Sequence, residues 1–446
     1  MVHKMSDAVS SRILVLGATG LIGETIADDL SRRGFPVATA ARRFTPAQRD
    51  RFGVDAREIP IARLDVAALT RLLQDSDVVV NCLGVLQDTP ADSTHDIHEQ
   101  FVGRLITAVR AMGRPVLLVH LSIPGAAADD PTTFSRSKRA AEQAIAGSGL
   151  PYAILCPGFV WAPRAYGGSA MLRALAVLPM ELPASLADRP LSVVAVEEIA
   201  ETVAVLAQRW QQPDPQFAVT WELMHPGHRR MGDAVAKLRA WLGTVGSLQL
   251  PLPMAFLKLG VWAGDVCSWF GWRPPMRSTA LAELLRGVTG DPRSWMEATG
   301  IAPRSLESML QARPVTVQEK WFARLYPLKA LIIAVLVLFW CASALIALTV
   351  AYPAAVAILT AHGYAMGAAH AITIVSSLMD LAVGLAITFR RTCVYGLIAG
   401  IAISLFYMLS AAVLTPDIWI EPLGALVKTF PAIVLMLVAL AIADDR

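Results

Sequence analysis

The sequence predicts an α/β protein whose first part is a doubly wound parallel sheet and whose last part is an all-α transmembrane bundle. Short β-branched runs alternate with helical segments through about the first 200 residues, which is the pattern of βαβ units. Beyond Leu328 the chain is far more apolar, with segments of about 20 residues that match the ~30 Å hydrocarbon core of a bilayer. We therefore expect an α/β domain joined to a membrane domain.

The composition narrows the range of partners. Charged residues make up 17% of the chain and the formal net charge is +3, so a nucleic-acid partner is not expected. The five cysteines lack paired spacing, which argues against a disulfide framework and against a structural zinc site. The first dozen residues lack the apolar run of a secretory signal peptide, so we expect the N-terminal domain to stay in the cytosol.

The first predicted strand and helix enclose a glycine-rich turn. Residues 12–23 read R-I-L-V-L-G-A-T-G-L-I-G, and a helix is predicted over Leu21–Leu30. Gly17 permits a tight turn, Gly20 lets backbone amides approach a pyrophosphate, and Gly23 lets the helix lie close to the sheet. The positive N-terminal end of the helix would then face the phosphates. Strand, motif and helix in this order indicate a dinucleotide site of the Rossmann fold, the alternative being a glycine-capped helix start without a ligand.

The second predicted strand, Pro36–Ala41, ends in two arginines. Sites that prefer NAD usually carry an acidic residue near this strand end, which accepts from the ribose 2′-hydroxyl. Here Arg42 and Arg43 occupy that point, and no acid appears before Asp50. Because guanidinium groups suit a 2′-phosphate, we predict NADP(H) over NAD(H), the alternative being a solvated surface pair.

Three further strands and one more helix complete the predicted sheet domain. They are expected at Ile59–Leu64, Asp77–Asn81, Val116–Leu121 and, for the helix, Ile97–Met112. His95 and His98 flank Asp96 at the start of that helix, but their spacing fits no standard metal motif. We interpret this stretch as a solvated loop that leads into a helix cap, and we expect no metal.

These residues resemble the short-chain dehydrogenase/reductase superfamily. The likeness rests on the glycine turn, on Asp65-Val66 after the third strand, on N-C-L-G after the fourth strand and on Ser122 after the fifth strand. It continues through F-S-R-S-K at 134–138, Glu142, the strand Tyr152–Leu155 and C-P-G-F-V at 156–160. More narrowly, the chain is similar to the atypical and extended branch, which includes the nucleotide-binding accessory subunit of respiratory complex I.

The resemblance implies a role for each matching position. The pyrophosphate would be held by Gly17, Thr19, Gly20, Leu21, Ile22 and Gly23. The adenine would be bordered by Asp65 and Val66, the path to the nicotinamide ribose by Leu83 and Gly84, and the nicotinamide by Pro157, Phe159 and Val160. Lys138 would bond the hydroxyls of the nicotinamide ribose, and Ser122 would help to hold a substrate oxygen.

One departure from the family pattern concerns the proton donor. The family places a Tyr four residues before the Lys, on the same helix face, whereas this chain has Phe134 there. Since Phe has no titratable group, three interpretations follow. Ser122, Ser135, Tyr166 or water supplies the proton; or hydride passes to an acceptor that needs no such acid, such as a quinone or flavin; or the domain binds cofactor without turnover.

Residues 201–317 are predicted to form a helical and mixed substrate-side subdomain after a Rossmann domain over 1–200. The stretch Leu250–Trp272 carries Trp262, Trp269 and Trp272 among apolar residues. It is either the packed core of that subdomain or a segment at the membrane interface, and we favour contact with the bilayer. Residues 318–329 then place cations between aromatics, as a juxtamembrane anchor does.

The third predicted domain, 318–446, resembles the DoxX-like family and contains four apolar segments. They lie at Ala330–Val350, Ala368–Phe389, Val394–Leu414 and Ala425–Ala443. Arg390 and Arg391 separate the second segment from the third, and the loops 351–367 and 415–424 contain no Lys or Arg. The positive-inside rule then predicts both termini on the cytosolic side of the plasma (inner) membrane.

Asp380 lies inside the second apolar segment. An acid in hydrocarbon is costly unless it is paired, so we expect Lys428 or a hydroxyl of Ser376, Ser377, Ser404 or Tyr407 as its partner. Its role is either a structural bond between helices or a contact with a proton or a quinone headgroup. Taken together, the sequence predicts a membrane-anchored NADPH-dependent oxidoreductase with a lipophilic or quinone-like acceptor. The alternative is a non-catalytic NADP(H)-binding assembly or redox-sensor subunit.

Overall fold

The computed structural model describes residues 11–88, 92–212, 217–244, 250–420, 424 and 426–444. The chain divides into two compact units. Unit 1 comprises the residues up to Asp265 together with Pro275–Lys320, and unit 2 comprises Val266–Pro274 together with Trp321 onward.

The centre of unit 1 is a seven-stranded sheet in which every neighbouring pair of strands is parallel. Its strand order is β11-β6-β5-β4-β1-β2-β3. The chain builds β1, β2 and β3 toward one edge, returns to place β4 on the other side of β1, and then builds toward the opposite edge, which confirms the predicted doubly wound fold. The strands are β1 Ile13–Leu16, β2 Val37–Ala41, β3 Ala56–Glu58, β4 Val78–Asn81, β5 Leu117–Leu121, β6 Tyr152–Pro157, β7 Phe159–Trp161, β8 Met180–Glu181, β9 Pro190–Leu191, β10 Val193–Ala195, β11 Ala218–Leu223, β12 Arg229–Arg230 and β13 Leu250–Pro251. The remaining strands form three two-stranded sheets, β7 with β10, β9 with β12 and β8 with β13.

Helices cover both faces of the large sheet. The helices of unit 1 are α1 Leu21–Arg32, α2 Pro46–Phe52, α3 Val66–Leu73, α4 Phe101–Ala111, α5 Thr133–Ala146, α6 Gly167–Val177, α7 Ala184–Ala187, α8 Val196–Trp210, α9 Met231–Leu242, α10 Met254–Trp269, α11 Ser278–Arg286, α12 Arg293–Thr299 and α13 Leu306–Gln311, with α10 ending in unit 2. Residues of α1 and α8 pack on one face of the sheet, and residues of α3, α4 and α5 pack on the other. Both faces of the strands are therefore apolar, as expected for a parallel sheet.

Two sequence predictions for unit 1 need correction. The third strand is Ala56–Glu58 rather than Ile59–Leu64, because Pro60 has no N–H for the ladder and Ile61–Arg63 forms a 3₁₀ turn. The predicted boundary at residue 200 falls inside α8, and β11 lies beyond it as the edge strand of the large sheet beside β6. Residues 201–317 thus share one compact unit with the strands that precede them, apart from the short segment that joins unit 2.

Unit 2 is all-α. Its helices are α14 Val317–Leu348, which begins in unit 1, α15 Tyr352–Ala361, α16 Met366–Thr388, α17 Cys393–Leu414 and α18 Thr429–Ala441. Among the described residues, three helices are long and apolar enough to cross a membrane, namely α14, α16 and α17. They match the first three predicted spans. The helix within the fourth predicted span, α18, has 13 residues, which is fewer than the ~20 that a full crossing needs.

Basic side chains gather at one end of this bundle. Lys329 of α14 and Arg390 after α16 both donate to the carbonyl oxygen of Ala443, at 3.2 and 2.9 Å. The segment 266–274 is attached at the same end, because the backbone N–H of Arg390 donates to the carbonyl of Phe270 at 3.0 Å. This end is called the basic end of the bundle below.

Candidate functional site

The carboxyl ends of the central strands meet along one edge of the sheet. In the strand register Leu16 lies beside Ala40 and Asn81, Asn81 lies beside His120, and Leu121 lies beside Leu155. The turns that follow these strands therefore lie in one row, and they contain most of the positions selected from the sequence. Ligands of doubly wound folds bind at this edge, where the strand order reverses.

The glycine turn after β1 combines a left-handed residue with a very close approach of helix α1. Gly17 has a φ of +82°, and a Cβ built on Gly23 would lie 2.4 Å from the Gly17 carbonyl oxygen. Helix α1 therefore starts as close to the turn as backbone atoms allow. Gly20, its N-cap residue, supplies no side-chain cap, so the positive N-terminal end of a 12-residue helix is not neutralised by its own cap. These residues fit a dinucleotide phosphate.

One of the two arginines after β2 lies close to an acidic residue that the sequence analysis did not place there. Arg42 forms a bifurcated ion pair with Asp92, in which its Nη1 atom lies 2.9 and 2.6 Å from the two carboxylate oxygens. Arg43 is exposed. A carboxylate therefore does lie near the end of β2, but it belongs to Asp92, which is 50 residues further along the chain. A 2′-phosphate would have to compete with Asp92 for Arg42.

The residues predicted near the adenine begin a helix. Asp65 is the N-cap of α3, and its carboxylate accepts from the backbone N–H of Ala68 at 2.7 Å. Val66, the first residue of α3, is half-buried. The exposed Asp65 carboxylate therefore has one oxygen engaged in the cap.

Lys138 and Phe134 project from the same face of α5, four residues apart, as predicted. Lys138 is 5% exposed, and its ammonium donates to the carbonyl of Leu121 at 2.8 Å. Burial lowers the pKa of Lys138 to about 8. A Cβ built on Gly84 would lie 3.4 Å from the Lys138 Nζ atom. The lysine ammonium therefore lies beside the turn after β4, which contains the two residues expected along the path to the nicotinamide ribose.

Asn81 shapes that turn. Its side-chain oxygen accepts from the backbone N–H of Leu83 at 3.1 Å, and its amide nitrogen lies 3.0 Å from Nδ1 of His120. Because an amide nitrogen only donates, Nδ1 of His120 is the acceptor. The buried Asn81 side chain thus fixes the backbone of the turn that contains Leu83 and Gly84.

His98 is the site residue that the sequence analysis missed. It lies in a single π-helical turn, Asp96–Gln100, which runs into α4, and it is 1% exposed rather than part of a solvated loop. Its Nε2 atom accepts from the backbone N–H of Val85 at 3.2 Å, so its proton is on Nδ1, which lies 2.8 Å from the Ser137 hydroxyl. Its ring packs edge-on against Phe134, with 5.6 Å between ring centroids.

A signal for His98 was present in the helical spacing. His98, Val102, Leu105 and Val109 recur at the spacing of one helix face, and all four are buried. Burial, followed by the charge of Lys138, lowers the pKa of His98 to about 2, so the ring is neutral. A neutral His98 whose Nε2 atom accepts a backbone bond orients the turn after β4 and is not a ready acid.

Two of the proposed substitute proton donors are already engaged. The Ser122 hydroxyl donates to Glu142, whose carboxylate also pairs with Arg139 at 2.9 and 3.0 Å. The Ser135 hydroxyl donates to the Thr132 carbonyl at 3.2 Å as part of the capping box of α5. Of the side chains considered, Tyr166 is the one that remains substantially exposed, at the start of α6.

The positions predicted around the nicotinamide follow β6. Pro157 ends that strand and is buried, and Phe159 and Val160 form β7 beside β10. A Cβ on Gly158 would lie 2.6 Å from the Ser192 carbonyl, so only glycine allows the chain to turn from β6 into β7. No group of three or more His, Cys, Asp or Glu side chains within the described part of the chain is arranged to hold a metal ion.

Two parts of the chain match known families. Residues 17–173 match the family described as NAD(P)H-binding, which covers the glycine turn and α5. Residues 337–437 match the DoxX-like family, which covers most of unit 2.

Two relatives of known activity are similar to part of this chain. A (4-alkanoyl-5-oxo-2,5-dihydrofuran-3-yl)methyl phosphate reductase from Streptomyces griseus is 28% identical over 322 residues, covering 70% of this chain and 96% of that protein. A dTDP-6-deoxy-L-talose 4-dehydrogenase (NAD(P)(+)) from Kitasatospora kifunensis is 35% identical over 115 residues, covering 25% of this chain and 35% of that protein.

Solved structures share the fold at low sequence identity. A nucleoside-diphosphate-sugar epimerase from Staphylococcus aureus has a TM-score of 0.52 at 16% identity, covering 68% of this chain and 99% of its own. UDP-glucuronic acid 4-epimerase from Bacillus cereus, solved with UDP-glucuronic acid and NAD, has a TM-score of 0.51 at 14% identity, covering 71% and 100%. The narrower resemblance to the complex I subunit stays a prediction. The chain joins an NAD(P)-binding Rossmann domain, which has the fold of these epimerases, to a C-terminal DoxX-like domain.

Proposed function

We propose that the protein transfers hydride from NADPH to a lipophilic, quinone-like acceptor at the cytosolic surface of the plasma (inner) membrane. The observation that carries the proposal is the pairing of the glycine turn and the buried Lys138 with Phe134 in the place of the usual acid. Lys138 and the glycine turn are retained, while the phenol that protonates a carbonyl substrate is absent. Such a site keeps hydride chemistry and gives up acid catalysis.

Within this proposal the cofactor residues keep the roles that the resemblance implies. The amides of Thr19, Leu21 and Ile22 face the pyrophosphate between the three glycines, and Asp65 and Val66 border the adenine. Lys138 donates to the ribose hydroxyls beside Leu83 and Gly84, and Pro157, Phe159 and Val160 pack at the nicotinamide. The nicotinamide supplies the hydride, and these side chains bind and orient it.

The proton balance favours a quinone-like acceptor. Hydride transfer to a quinone delivers two electrons and one proton, so one further proton completes the hydroquinone while NADPH becomes NADP⁺. His98 is neutral with its Nε2 atom accepting a backbone bond, and Ser122 donates to Glu142. Hydride addition to a quinone gives a phenolate-like hydroquinone anion, whose conjugate acid has a pKa of roughly 10, as tyrosine does, whereas hydride addition to a carbonyl gives a far more basic alkoxide. The quinone can therefore accept hydride before it is protonated, and such an acceptor does not require an enzyme acid.

The preference for NADPH rests on Arg42 and Arg43. Two guanidinium groups at the end of β2 suit a 2′-phosphate better than a 2′-hydroxyl. Asp92 holds Arg42 in the free protein, so the preference depends on the phosphate displacing this carboxylate.

The proposed orientation rests on the basic end of the bundle. Lys329 and Arg390 lie there, and the positive-inside rule assigns that end to the cytosol. We propose that α14, α16 and α17 cross the bilayer, that the segment 425–443 with its shorter helix α18 returns the chain to the basic end, and that unit 1 lies in the cytosol.

The test is NADPH oxidation by the full-length protein in lipid nanodiscs, with a panel of quinones and a panel of lipophilic carbonyls. We expect the native protein to oxidise NADPH with quinones. Phe134→Tyr should add carbonyl reduction, because a general acid is worth roughly 10²–10⁴ in rate. Tight NADPH binding without oxidation in either form would overturn the enzyme assignment and favour the non-catalytic assembly or sensor subunit. Absence of saturable binding of either cofactor would overturn both.

A further inference from the structure

Helix α10 carries its largest apolar side chains on its exposed face, whereas a helix of a soluble domain usually buries them. Its inward face consists of Leu257, Val261, Gly264 and Ser268, which are buried. Its outward face presents Phe256, Leu259, Trp262 and Trp269, which are 58–75% exposed. The exposed face is thus richer in large apolar side chains than the buried one. Contiguous exposed apolar surface of this kind marks a docking surface.

The C-terminal end of α10 leads directly into contacts with the membrane helices. Within unit 2 the Phe270 ring packs edge-on against Phe389, with 5.5 Å between centroids, and the Trp272 indole N–H donates to the Thr388 carbonyl at 2.8 Å. The Arg390 guanidinium lies over the Trp272 ring at 5.4 Å. Helix α16 ends at Thr388 with Phe389 as its C-cap, so the turn after α10 lies at the basic end of the bundle.

We infer that the outward face of α10 rests on the bilayer surface, with Phe256, Leu259, Trp262 and Trp269 inserted among the headgroups and upper acyl chains. Trp is the residue type most typical of this boundary, and one outward cation, Lys258, lies between these side chains, in the position that suits a phosphate headgroup. A helix of 16 residues is about 24 Å long, so it reaches across several lipids. A second copy of the chain or a protein partner would not require the face to continue into the membrane boundary.

The contacts at the far side of α10 link this face to the cofactor edge. Arg277, just after the segment of unit 2, pairs with Asp265 of α10 at 2.9 Å and donates to the carbonyl of Asp88, in the loop after β4, at 3.3 Å. In α11, Glu283 accepts from the Thr132 hydroxyl at the start of α5. Helix α10 is therefore linked through Arg277 to the loop after β4, and α11 is linked through Glu283 to the start of α5. The lipid contact holds whichever acceptor the site reduces.

The test uses spin labels on the full-length protein in phospholipid nanodiscs. In a Cys267→Ser background, which removes the exposed thiol of α10, Leu259→Cys and Trp262→Cys each receive a label, and Arg71→Cys on α3 serves as an exposed control. Collision rates with oxygen, which concentrates in lipid, are compared with those of a water-soluble nickel chelate. We expect the ratio of oxygen to nickel accessibility at 259 and 262 to exceed that at 71 severalfold.

Three outcomes would overturn the inference. Ratios at 259 and 262 equal to the ratio at 71 would place the face in water. Protection from both reagents together with spin–spin broadening would assign the face to a second copy of the chain, and protection without broadening would assign it to another protein. Retained NADPH binding by each labelled variant shows that unit 1 is folded, so these readings do not depend on turnover.

Discussion

Replacing Lys138 with methionine is expected to stabilise the folded protein at pH 7 and, at the same time, to weaken cofactor binding. Lys138 is 5% exposed, and burial lowers its pKa from 10.5 to about 8. One pKa unit corresponds to ~1.36 kcal/mol, so at pH 7 the buried ammonium costs the folded state about 3 kcal/mol. Methionine fills similar space without that charge, and it loses the donor that would hold the ribose.

The pH dependence isolates the charge from the rest of the substitution. The folded-state pKa lies below the unfolded value, so between pH 8 and 10.5 the folded protein holds fewer protons and the stability of the native chain rises with pH. From pH 7 to pH 9.5 the native chain should gain about 2 kcal/mol relative to Lys138→Met. The Leu121 carbonyl can accept from the ammonium at pH 7 and from the neutral amine at pH 9.5, so most of the loss of this bond is common to the two pH values.

The assay is thermal unfolding of both proteins in nanodiscs at pH 7 and pH 9.5, with NADPH affinity measured in parallel. The difference in Tm should shift by roughly 2–3 °C in favour of the native chain at the higher pH. Lys237→Met, which removes a 40% exposed lysine, is the control and should show no such shift. A Tm difference that stays constant across this range would refute the reasoning, because the side chain would then carry no burial penalty.

Three further outcomes are expected. Gly23→Ala places a Cβ 2.4 Å from a backbone oxygen of the glycine turn and should weaken NADPH binding roughly tenfold or more, whereas Gly103→Ala on α4 meets open space and should leave titrated affinity unchanged. Arg42→Ala should weaken NADPH binding roughly tenfold with little effect on NADH, and Asp92→Ala should strengthen NADPH binding; equal losses for both cofactors would show that no phosphate contacts Arg42. Asp380→Asn keeps an acceptor for the hydroxyl of α17 that now donates to it at 3.0 Å, so its Tm in nanodiscs should change little, whereas Asp380→Leu should cost about 1 kcal/mol.

Local patterns predicted the strand, the turn and the helix start at the proposed phosphate end of the site. The apolar run over Ile13–Leu16, the glycine spacing and the start of α1 at Leu21 are as expected, because each depends on residues within one turn or strand. The third strand was placed wrongly because the apolar run around Pro60 resembles a strand, while the proline cannot join its ladder. Hydrophobic patterns mispredict a strand where a single proline removes a backbone N–H that the ladder needs.

The substrate end depends on contacts between distant segments, which periodicity does not contain. His98 was taken for a loop residue because its neighbours are polar, although it faces Phe134 and Ser137 across 36 or more residues. The engagement of Ser122 by Glu142 likewise joins a strand end to a helix. For Asp380 the sequence offered several partners, and the structure selects the Tyr407 hydroxyl, whose other contact is the Ser376 carbonyl at 3.2 Å.

The interruption of unit 1 by residues 266–274 limits how the protein can be divided. A fragment ending at Asp265 would lack α12, whose Trp295 fills the core fully buried and donates to Thr202 at 3.0 Å. A fragment ending at Lys320 would retain Phe270 and Trp272 without the helix ends that cover their rings. Neither cut yields a well-covered water-soluble piece, so purification, crystallisation and ligand titration call for the intact chain in a lipid-like environment.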